Sequence, residues 1–335
     1  MLFLSWQRDS LLTLFVVVLC LAIGYLYEWA GHRRDLGLHP PPGHLVSVGG
    51  HRLHLLCKGS SGPTVVIEQG AGELSRFWWS IQDQIANFAR VCTYDRAGYA
   101  WSEAARPHRT IEDRAQDLHL LLTAAGVPGP YLFVAHSYGG LIVRAYTALY
   151  PDEVAGLILV DTPEESSIFQ PEVLDFYSKA RIANHIASFV ARFGILRLLR
   201  IWVPIDRYGF WLTTFAEYSA LCDDLASLEL VPQALRKSKV AGTLGTLPLH
   251  VITHGLAFPG PFAVLEKNWI EGQERLAALS TNSELIVAKN SNHMVQQDEP
   301  ELLLDSIRRV HAAASDQHKS ERRTTARLAA CETQR

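Results

Sequence analysis

Short apolar runs that alternate with helix-like segments dominate the middle of this 335-residue chain. The runs TVVIE, VCTY, YLFVA and GLILV lack polar residues at alternate positions, and segments such as IEDRAQDLHLLLTAAG separate them. A strand without a polar face is buried on both sides, and strands joined through helices pair in parallel. The sequence therefore predicts an α/β fold with a mostly parallel central sheet and helices on both of its faces.

A break in this rhythm divides the predicted domain. The segment 162–247 has long helical apolar stretches and no clear strand, and strand-like runs resume with LPLHVIT and SELIVA. We expect 162–247 to be an inserted helical cap between two parts of one core, 36–161 and 248–314. Alternation around Gly49-Gly50 predicts a β-hairpin at the start of the core. The polar segment 315–335 has no apolar period and is expected to be disordered.

The amino terminus contains a long uncharged run. Leu11–Tyr27 comprises 17 residues without a charge, which is close to the length that spans a bilayer. We expect a retained single-pass membrane anchor within 1–35, with a cleaved secretory signal as the alternative. Arg8 precedes the run and Arg33-Arg34 follow it, a charge difference too small to set its orientation.

Overall charge and cysteine content exclude some other classes of protein. A net charge of −3 gives no electrostatic basis for nucleic-acid binding. The five cysteines include no CxxC pair. Cys57 and Cys92 lie in strand-like runs and are interpreted as buried apolar residues rather than metal ligands. A disulfide between them is compatible with the sequence but not required by it.

The segment AHSYG joins a predicted strand to a predicted helix. Its small neighbours permit a tight turn, and such a turn holds the Ser137 hydroxyl above the end of a sheet, beside a helix amino terminus. Ala135 stands where the usual GxSxG pattern has glycine. A turn without a chemical role is the alternative, but the strand before it and the helix after it favour a nucleophile.

A serine nucleophile needs a base. His293 lies in the polar loop NSNHMVQQDEP, between the last predicted strand and the final helix, where the histidine falls when the order is serine, acid, histidine. The other histidines near apolar runs are interpreted as structural: His119, His136, His250 and His254.

The base in turn needs a carboxylate that orients it and stabilises its charged form. Asp161 ends the strand-like run GLILV, 24 residues after Ser137, and is our first candidate. The end of the following strand, VITHGLAFPGPF, contains no acid before Glu266. Glu164, Glu165 and Glu266 therefore remain as alternatives.

An oxyanion formed during acyl transfer needs backbone donors that are already in place. The N–H of Tyr138, directly after the candidate nucleophile, is one. The second is expected in the loop EQGAG, and our candidate is the N–H of Ala71, because Gly70 and Gly72 let backbone approach a substrate closely.

From about Val46 to Val310 the chain resembles the α/β-hydrolase fold family, in particular bacterial members with YDRAGYAWSE-type and NSNH-type segments and capped, esterase- or lipase-like architecture. The resemblance implies a Ser-Asp-His triad, an oxyanion hole after the third strand and a helical lid after the sixth. The matching positions are Ala71, Ser137, Tyr138, Asp161 and His293. The departures are Ala135 for glycine, Gln69 for a histidine, and the missing acid after the seventh strand. The Asp95-Arg96 turn also matches the family and is interpreted as structural.

These features together favour a membrane-anchored serine hydrolase that cleaves esters or related acyl compounds without a metal or cofactor. The aromatic and aliphatic residues of the cap favour a small apolar acyl substrate, although a cap needs such residues for its own packing. Acyl transfer to another acceptor and a non-catalytic ligand-binding or scaffold protein are the alternatives. The cap arginines are expected on a solvated helix face rather than on lipid phosphate: Arg181, Arg192, Arg197 and Arg200.

Overall fold

The computed structural model describes residues 2–199, 215–228 and 243–332. Within them, eight strands form one sheet in the order β1-β2-β4-β3-β5-β6-β7-β8. The strands are β1 (His44–Ser47), β2 (Arg52–Lys58), β3 (Thr64–Glu68), β4 (Val91–Tyr94), β5 (Tyr131–His136), β6 (Val154–Val160), β7 (Leu249–His254) and β8 (Ser283–Ala288). β2 pairs antiparallel with β1 and β4, and all other pairs are parallel. The predicted fold class, including the hairpin at Gly49-Gly50, is confirmed.

The α-helices are α1 (Leu2–Leu38), α2 (Trp79–Ile85), α3 (Ile111–Ala124), α4 (Tyr138–Leu149), α5 (Glu165–Ile168), α6 (Pro171–Arg192), α7 (Ile195–Leu199), α8 (Phe215–Ser227), α9 (Trp269–Ala277), α10 (Val295–Asp298) and α11 (Pro300–Glu332). Short 3₁₀ turns cover Ser75–Trp78, Pro151–Glu153 and Gly260–Glu266. α3 begins with a capping box in which the Thr110 and Asp113 side chains each accept a hydrogen bond from the other's backbone N–H.

The sheet carries a separate apolar layer on each face, because successive residues of a strand point to opposite sides. Val65 and Ile67 of β3 pack in the layer that includes α2 and α11. Val66, between them, packs in the other layer with Phe133 and with residues of α3 and α4. All these side chains are fully buried. The strands are therefore apolar on both faces, as their lack of alternation predicted.

Helices α5 to α8 lie between β6 and β7 in the chain, within the segment predicted to be the cap. The segments 200–214 and 229–242, including Arg200, lie outside the described residues. α6 and α8 pack against each other, and α6 also contacts α1. α1 contains one stretch, within Asp9–Leu38, that is long and apolar enough to cross a membrane, and none of that stretch is buried.

Two expectations differ from the structure. Cys57 and Cys92 form a disulfide, because they are directly paired on antiparallel β2 and β4 with their Cα atoms 4.1 Å apart. The sequence shows each cysteine in its strand but not the pairing of the two strands. The segment 315–335 was expected to be disordered, yet α11 continues to Glu332. Its Ala, Arg, Glu and Lys residues favour helix locally even without an apolar face.

Candidate active site

A strained residue connects β5 to α4. Ser137 has φ 51° and ψ −122°, a region that L-residues rarely occupy, and α4 begins at the next residue. The Ser137 N–H donates to the carbonyl of Val160 on β6 at 2.9 Å. The turn therefore fixes the serine at the carboxyl end of the sheet.

The two glycines after Tyr138 are required by close packing. A Cβ atom on Gly139 would lie 2.6 Å from the carbonyl oxygen of Glu68, at the end of β3. One on Gly140 would lie 2.2 Å from the Thr162 side chain, just beyond β6. Glycine at both positions lets the start of α4 fit between the ends of these two strands.

The structure brings together three of the residues that the sequence singled out. His293 Nε2 lies 2.9 Å from Ser137 Oγ, and His293 Nδ1 lies 2.6 Å from Asp161 Oδ2. Since a carboxylate can only accept, Nδ1 carries the proton and Nε2 is free to accept the serine hydroxyl proton. His293 lies 156 positions after Ser137 and 132 after Asp161, and the three meet because they follow the carboxyl ends of β5, β6 and β8 at one edge of the sheet.

Asp161 is fully buried and surrounded by donors. It has φ 45°, and its carboxylate accepts hydrogen bonds from the N–H of His254 at 3.1 Å and from Trp269 Nε1 at 3.0 Å. His254 Nδ1 lies 2.7 Å from Oδ1. Burial alone raises the pKa of this carboxyl, but the hydrogen bonds from His254 and His293 outweigh it and hold the pKa well below the usual range. Asp161 is therefore ionised.

His254 was interpreted as a structural histidine, and in the structure it is buried with its Nδ1 against Asp161. It ends β7, the position at which the sequence lacked an acid. Burial lowers the pKa of His254, but its hydrogen bond to Asp161 raises it above the ordinary value. The one sequence signal of this contact was a histidine at the end of the strand next to that of the predicted acid.

The alternative acids lie in other contacts. Glu164 accepts from Arg275 at 2.9 Å, and Glu165 pairs with Arg144 at 2.8 Å. Glu266 Oε1 is 3.4 Å from His254 Nε2. Of these four acids, Asp161 is the one that contacts His293.

A buried ion pair supports the loop that carries His293. His136 Nε2 donates to the His293 carbonyl at 2.8 Å, and His136 Nδ1 lies 2.9 Å from Glu73 Oε1. Burial lowers the pKa of His136, but the Glu73 charge raises it above its ordinary value. Although burial raises the pKa of Glu73, the charge of His136 and hydrogen bonds lower it to about 2. Both nitrogens of His136, which was expected only to pack, therefore face acceptor oxygens, so both carry protons and the ring is a cation beside the candidate base.

The charge of His136 and the burial of His293 both lower the pKa of His293. Burial lowers the pKa of His293, the bond to Asp161 raises it, and the nearby charge of His136 lowers it again, so that the net pKa lies below the ordinary value. His293 is consequently neutral, as a general base must be, at neutral pH.

The loop after β3 lies beside Ser137. A Cβ atom on Gly70 would lie 3.3 Å from Ser137 Cβ. The N–H of Gly70 donates to Glu73 at 2.9 Å, and that of Gly72 donates to Tyr99 Oη at 3.3 Å. Ala71 lies between these two anchored glycines.

Arg96 fixes this loop through hydrogen bonds to its backbone. It donates to the carbonyls of Gln69 at 2.7 Å and of Gly70 at 2.6 Å, and it pairs with Glu68 at 2.9 Å. The sequence interpreted Arg96 as part of a structural turn, and the structure adds that its guanidinium fixes the position of the loop.

The same network reaches the cap. Asp224 of α8 pairs with Arg96 at 3.0 Å and with Arg114 at 2.8 Å, and it accepts from Tyr99 Oη at 2.8 Å. The Tyr138 hydroxyl lies 2.7 Å from Ser227 Oγ, one turn further along α8. Buried polar contacts therefore connect the cap to both sides of the serine turn.

The remaining candidate histidines lie elsewhere. His119 contacts Glu153 at 3.1 Å, and His250 lies 2.8 Å from Ser306 Oγ. Among the described residues, no group of three or more His, Cys, Asp or Glu side chains is arranged to hold a metal ion.

Known proteins are similar to this chain in sequence. Residues 63–192 match the family model of the alpha/beta hydrolase fold. The uncharacterised protein YqjL of Bacillus subtilis is 32% identical over 260 residues, which cover 78% of this chain and 88% of YqjL. An "AB hydrolase superfamily protein" of Gibberella zeae is 25% identical over 288 residues, covering 74% of this chain and 86% of that protein.

Solved structures share the fold at lower identity. A thermophilic esterase from Thermogutta terrifontis has a TM-score of 0.60 at 19% identity, covering 81% of this chain and 98% of its own. A putative acyltransferase from Salmonella enterica has a TM-score of 0.64 at 19% identity, covering 82% and 97%. Because proteins that share this fold carry out different reactions, these likenesses establish architecture and not a reaction.

Proposed function

The chain belongs to the alpha/beta hydrolase family, and from that premise we propose that it is a serine hydrolase of esters or related acyl compounds. The observation that carries the proposal is the position of His293, within hydrogen-bond distance of both Ser137 Oγ and the ionised Asp161. The substrate is a small molecule with an acyl group.

In the proposed first step, Ser137 Oγ attacks the acyl carbon while His293 Nε2 takes the hydroxyl proton. Asp161 accepts from Nδ1 and stabilises the imidazolium. The N–H groups of Ala71 and Tyr138 are proposed to donate to the oxyanion, Tyr138 from the first turn of α4 and Ala71 from the loop that Arg96 holds. The imidazolium then gives its proton to the leaving alcohol, and the acyl–oxygen bond of the substrate breaks.

In the second step, His293 takes a proton from water, whose oxygen attacks the acyl-enzyme. The acyl–Oγ bond breaks, Ser137 recovers its proton from His293, and the acid leaves. Both steps use the side chains and backbone N–H groups named above, together with water.

We further propose that α1 anchors the protein in a membrane as a single span, with the catalytic domain on the oxidising side. The anchor is supported by the exposed apolar stretch of α1. The orientation is supported by the Cys57–Cys92 disulfide, since such bonds persist in oxidising compartments. One arginine precedes the uncharged run and two follow it, which favours the catalytic domain on the cytoplasmic side. We give the covalent bond more weight than this difference of one charge.

Covalent labelling with a fluorophosphonate tests the hydrolase proposal. The expected result is that wild-type protein labels at one serine and that Ser137→Ala does not label. Ser283→Ala, at an exposed serine of β8, is the matched control and should label like wild type. Undiminished labelling of a folded Ser137→Ala protein would overturn the proposal.

Product analysis then separates hydrolysis from acyl transfer. With an activated ester and an added alcohol, a hydrolase releases free acid as its main product. A main product in which the acyl group has moved to the added alcohol would assign the site to transfer.

A further inference from the structure

Large apolar side chains are exposed on the cap. Ile182, Ile186 and Phe189 lie four and three residues apart on α6, so they share one side of that helix. Leu198 and Leu199 of α7 are exposed as well, and each of the five side chains is between 52% and 60% exposed. We call these five residues the cap apolar face.

The cap apolar face is continuous with α1. The Phe189 ring packs against the Phe193 ring with centroids 5.0 Å apart. Phe193 in turn approaches α1 so closely that a Cβ atom on Gly24 would lie 2.3 Å from its carbonyl oxygen. Gly194, with φ 70°, completes the turn against the Tyr27 ring. The turn between α6 and α7 therefore lies directly on the last turns of the uncharged run.

A salt bridge fixes this contact. Arg197 of α7 pairs with Glu28 at 2.8 Å and with Asp35 at 2.8 Å. Its charged side chain is only 10% exposed. The expectation that Arg197 lies on a solvated helix face was therefore wrong, because two carboxylates of α1 hold it. Gly31 makes room for its guanidinium, since a Cβ atom there would lie 2.5 Å from it.

The position of the uncharged run in α1 determines how far this contact lies from the hydrocarbon layer of a membrane. If Leu11–Tyr27 occupies the hydrocarbon layer, then Glu28 and Asp35 emerge from it, within about 12 Å of its edge at 1.5 Å per residue. Exposed aromatic residues mark the same level: Tyr25, Tyr27 and Trp29. Such residues favour the boundary between hydrocarbon and headgroups.

We propose that the cap apolar face docks on the lipid bilayer beside α1. The proposal rests on the proposed membrane anchor, which brings the face to the bilayer surface. Exposed apolar side chains on a helix that lies at this level are stabilised by insertion at the boundary of headgroups and acyl chains. The cap of the candidate active site is then itself a membrane-binding element.

Photocrosslinking in full-length protein tests the proposal. p-Benzoylphenylalanine replaces Phe15 of α1, Ile186 of α6, Leu198 of α7 or Val287 of β8, one position at a time. All four side chains are exposed, so the fold is expected to persist, and resistance to limited proteolysis checks it. The probe is a vesicle of phosphatidylcholine and phosphatidylglycerol that contains radiolabelled phosphatidylcholine.

The expected result is lipid adducts from Phe15, Ile186 and Leu198, and at least tenfold less from Val287. Adducts from Phe15 alone would overturn the docking proposal and leave the anchor intact. No adduct from Phe15 would contradict the anchor. Equal adducts from Val287 and Ile186 would show non-specific contact, and protein–protein adducts at Ile186 would assign the face to a second copy of the chain. Both outcomes would overturn the proposal.

The Arg197→Ala variant adds an independent arm. Without the pair to Glu28 and Asp35, adducts from Ile186 and Leu198 should fall severalfold while those from Phe15 stay constant. Unchanged cap adducts in this variant would contradict the role given to the salt bridge in positioning the cap apolar face.

Discussion

The imidazole of His254 lies against the carboxylate of Asp161, with Nδ1 2.7 Å from Oδ1. His293 Nδ1 lies 2.6 Å from Oδ2 of the same carboxylate. Two histidines thus share one acid, but His293 is the one whose other nitrogen lies 2.9 Å from Ser137 Oγ. The two imidazoles should therefore differ sharply in their importance.

Replacing each histidine by phenylalanine tests that difference. His293→Phe removes the base and should lower kcat by at least about 10⁴-fold. His254→Phe removes one of several donors to Asp161 and should lower kcat by about 10- to 100-fold, the value of one hydrogen bond to a charged group. The measurement is turnover of an activated ester by folded variants. Equal losses would mean that His254 does more than support the acid.

Asp161→Asn should keep the fold and favour the wrong imidazole tautomer, with a loss on the order of 10⁴ in kcat by analogy with another triad enzyme. Glu164→Gln, Glu165→Gln and Glu266→Gln are the matched controls and should each cost far less. Near-normal turnover of Asp161→Asn, together with a collapse in one of the controls, would move the acid to that residue.

The charge of His136 sets a pH prediction. Its positive charge lowers the pKa of His293, which acts only in its neutral form. As the pH is lowered, kcat/KM of the wild type should therefore stay constant past pH 6.5, the ordinary pKa of histidine, and fall only at a lower pH. His136→Gln removes the cation, raises the pKa of His293, and should shift the acid limb to higher pH. His250→Gln, remote from the site, should leave it in place. An acid limb unmoved in His136→Gln would contradict a charged His136.

Asp224 tests the connection between cap and core. Asp224→Ala leaves Arg96 and Arg114 without their shared carboxylate and should lower the free energy of unfolding by about 3–5 kcal/mol. Asp223→Ala, at the neighbouring half-buried acid, is expected to change it by about 0.5 kcal/mol or less. Chemical denaturation of both variants makes the comparison, and similar values for the two would contradict the network as a stabilising contact.

The Cys57–Cys92 disulfide predicts the number of reactive thiols and a contribution to the free energy of unfolding. Of the five cysteines, three should react with a thiol reagent in unfolded, unreduced protein and five after reduction. A double Cys57→Ser and Cys92→Ser variant should lose about 4 kcal/mol of unfolding free energy, the loop-closure value for 35 residues. Five reactive thiols before reduction would contradict the disulfide and remove the support that it gives to the proposed orientation.

Strand order and strand ends made the core of the site predictable from sequence. Ser137 and Asp161 follow consecutive buried runs, and His293 follows the last one, so a parallel sheet brings all three to one edge. Their spacing in the chain, together with the family resemblance, was sufficient to select them.

The contacts that sequence reasoning missed depend on side-chain direction across long separations. Whether His254 points toward Asp161 depends on the register of β6 against β7, and the pairing of Arg197 with Glu28 depends on how the cap folds back over α1. Neither leaves a periodic pattern, because each partner looks ordinary in its own segment. The Cys57–Cys92 bond belongs to the same class, since it required the partner of β2 to be known.

That bond also turns part of the chain into a closed ring. Both β3 and the loop around Ala71 lie between Cys57 and Cys92, so a protease that cuts once inside this interval releases no fragment. A cut on the carboxyl side of Ala71 would place Ala71 and Ser137 on two different polypeptides that remain joined through sulfur. The nicked protein would migrate as a single species until a reductant separates the pieces, and the sheet could keep both halves of the site in register.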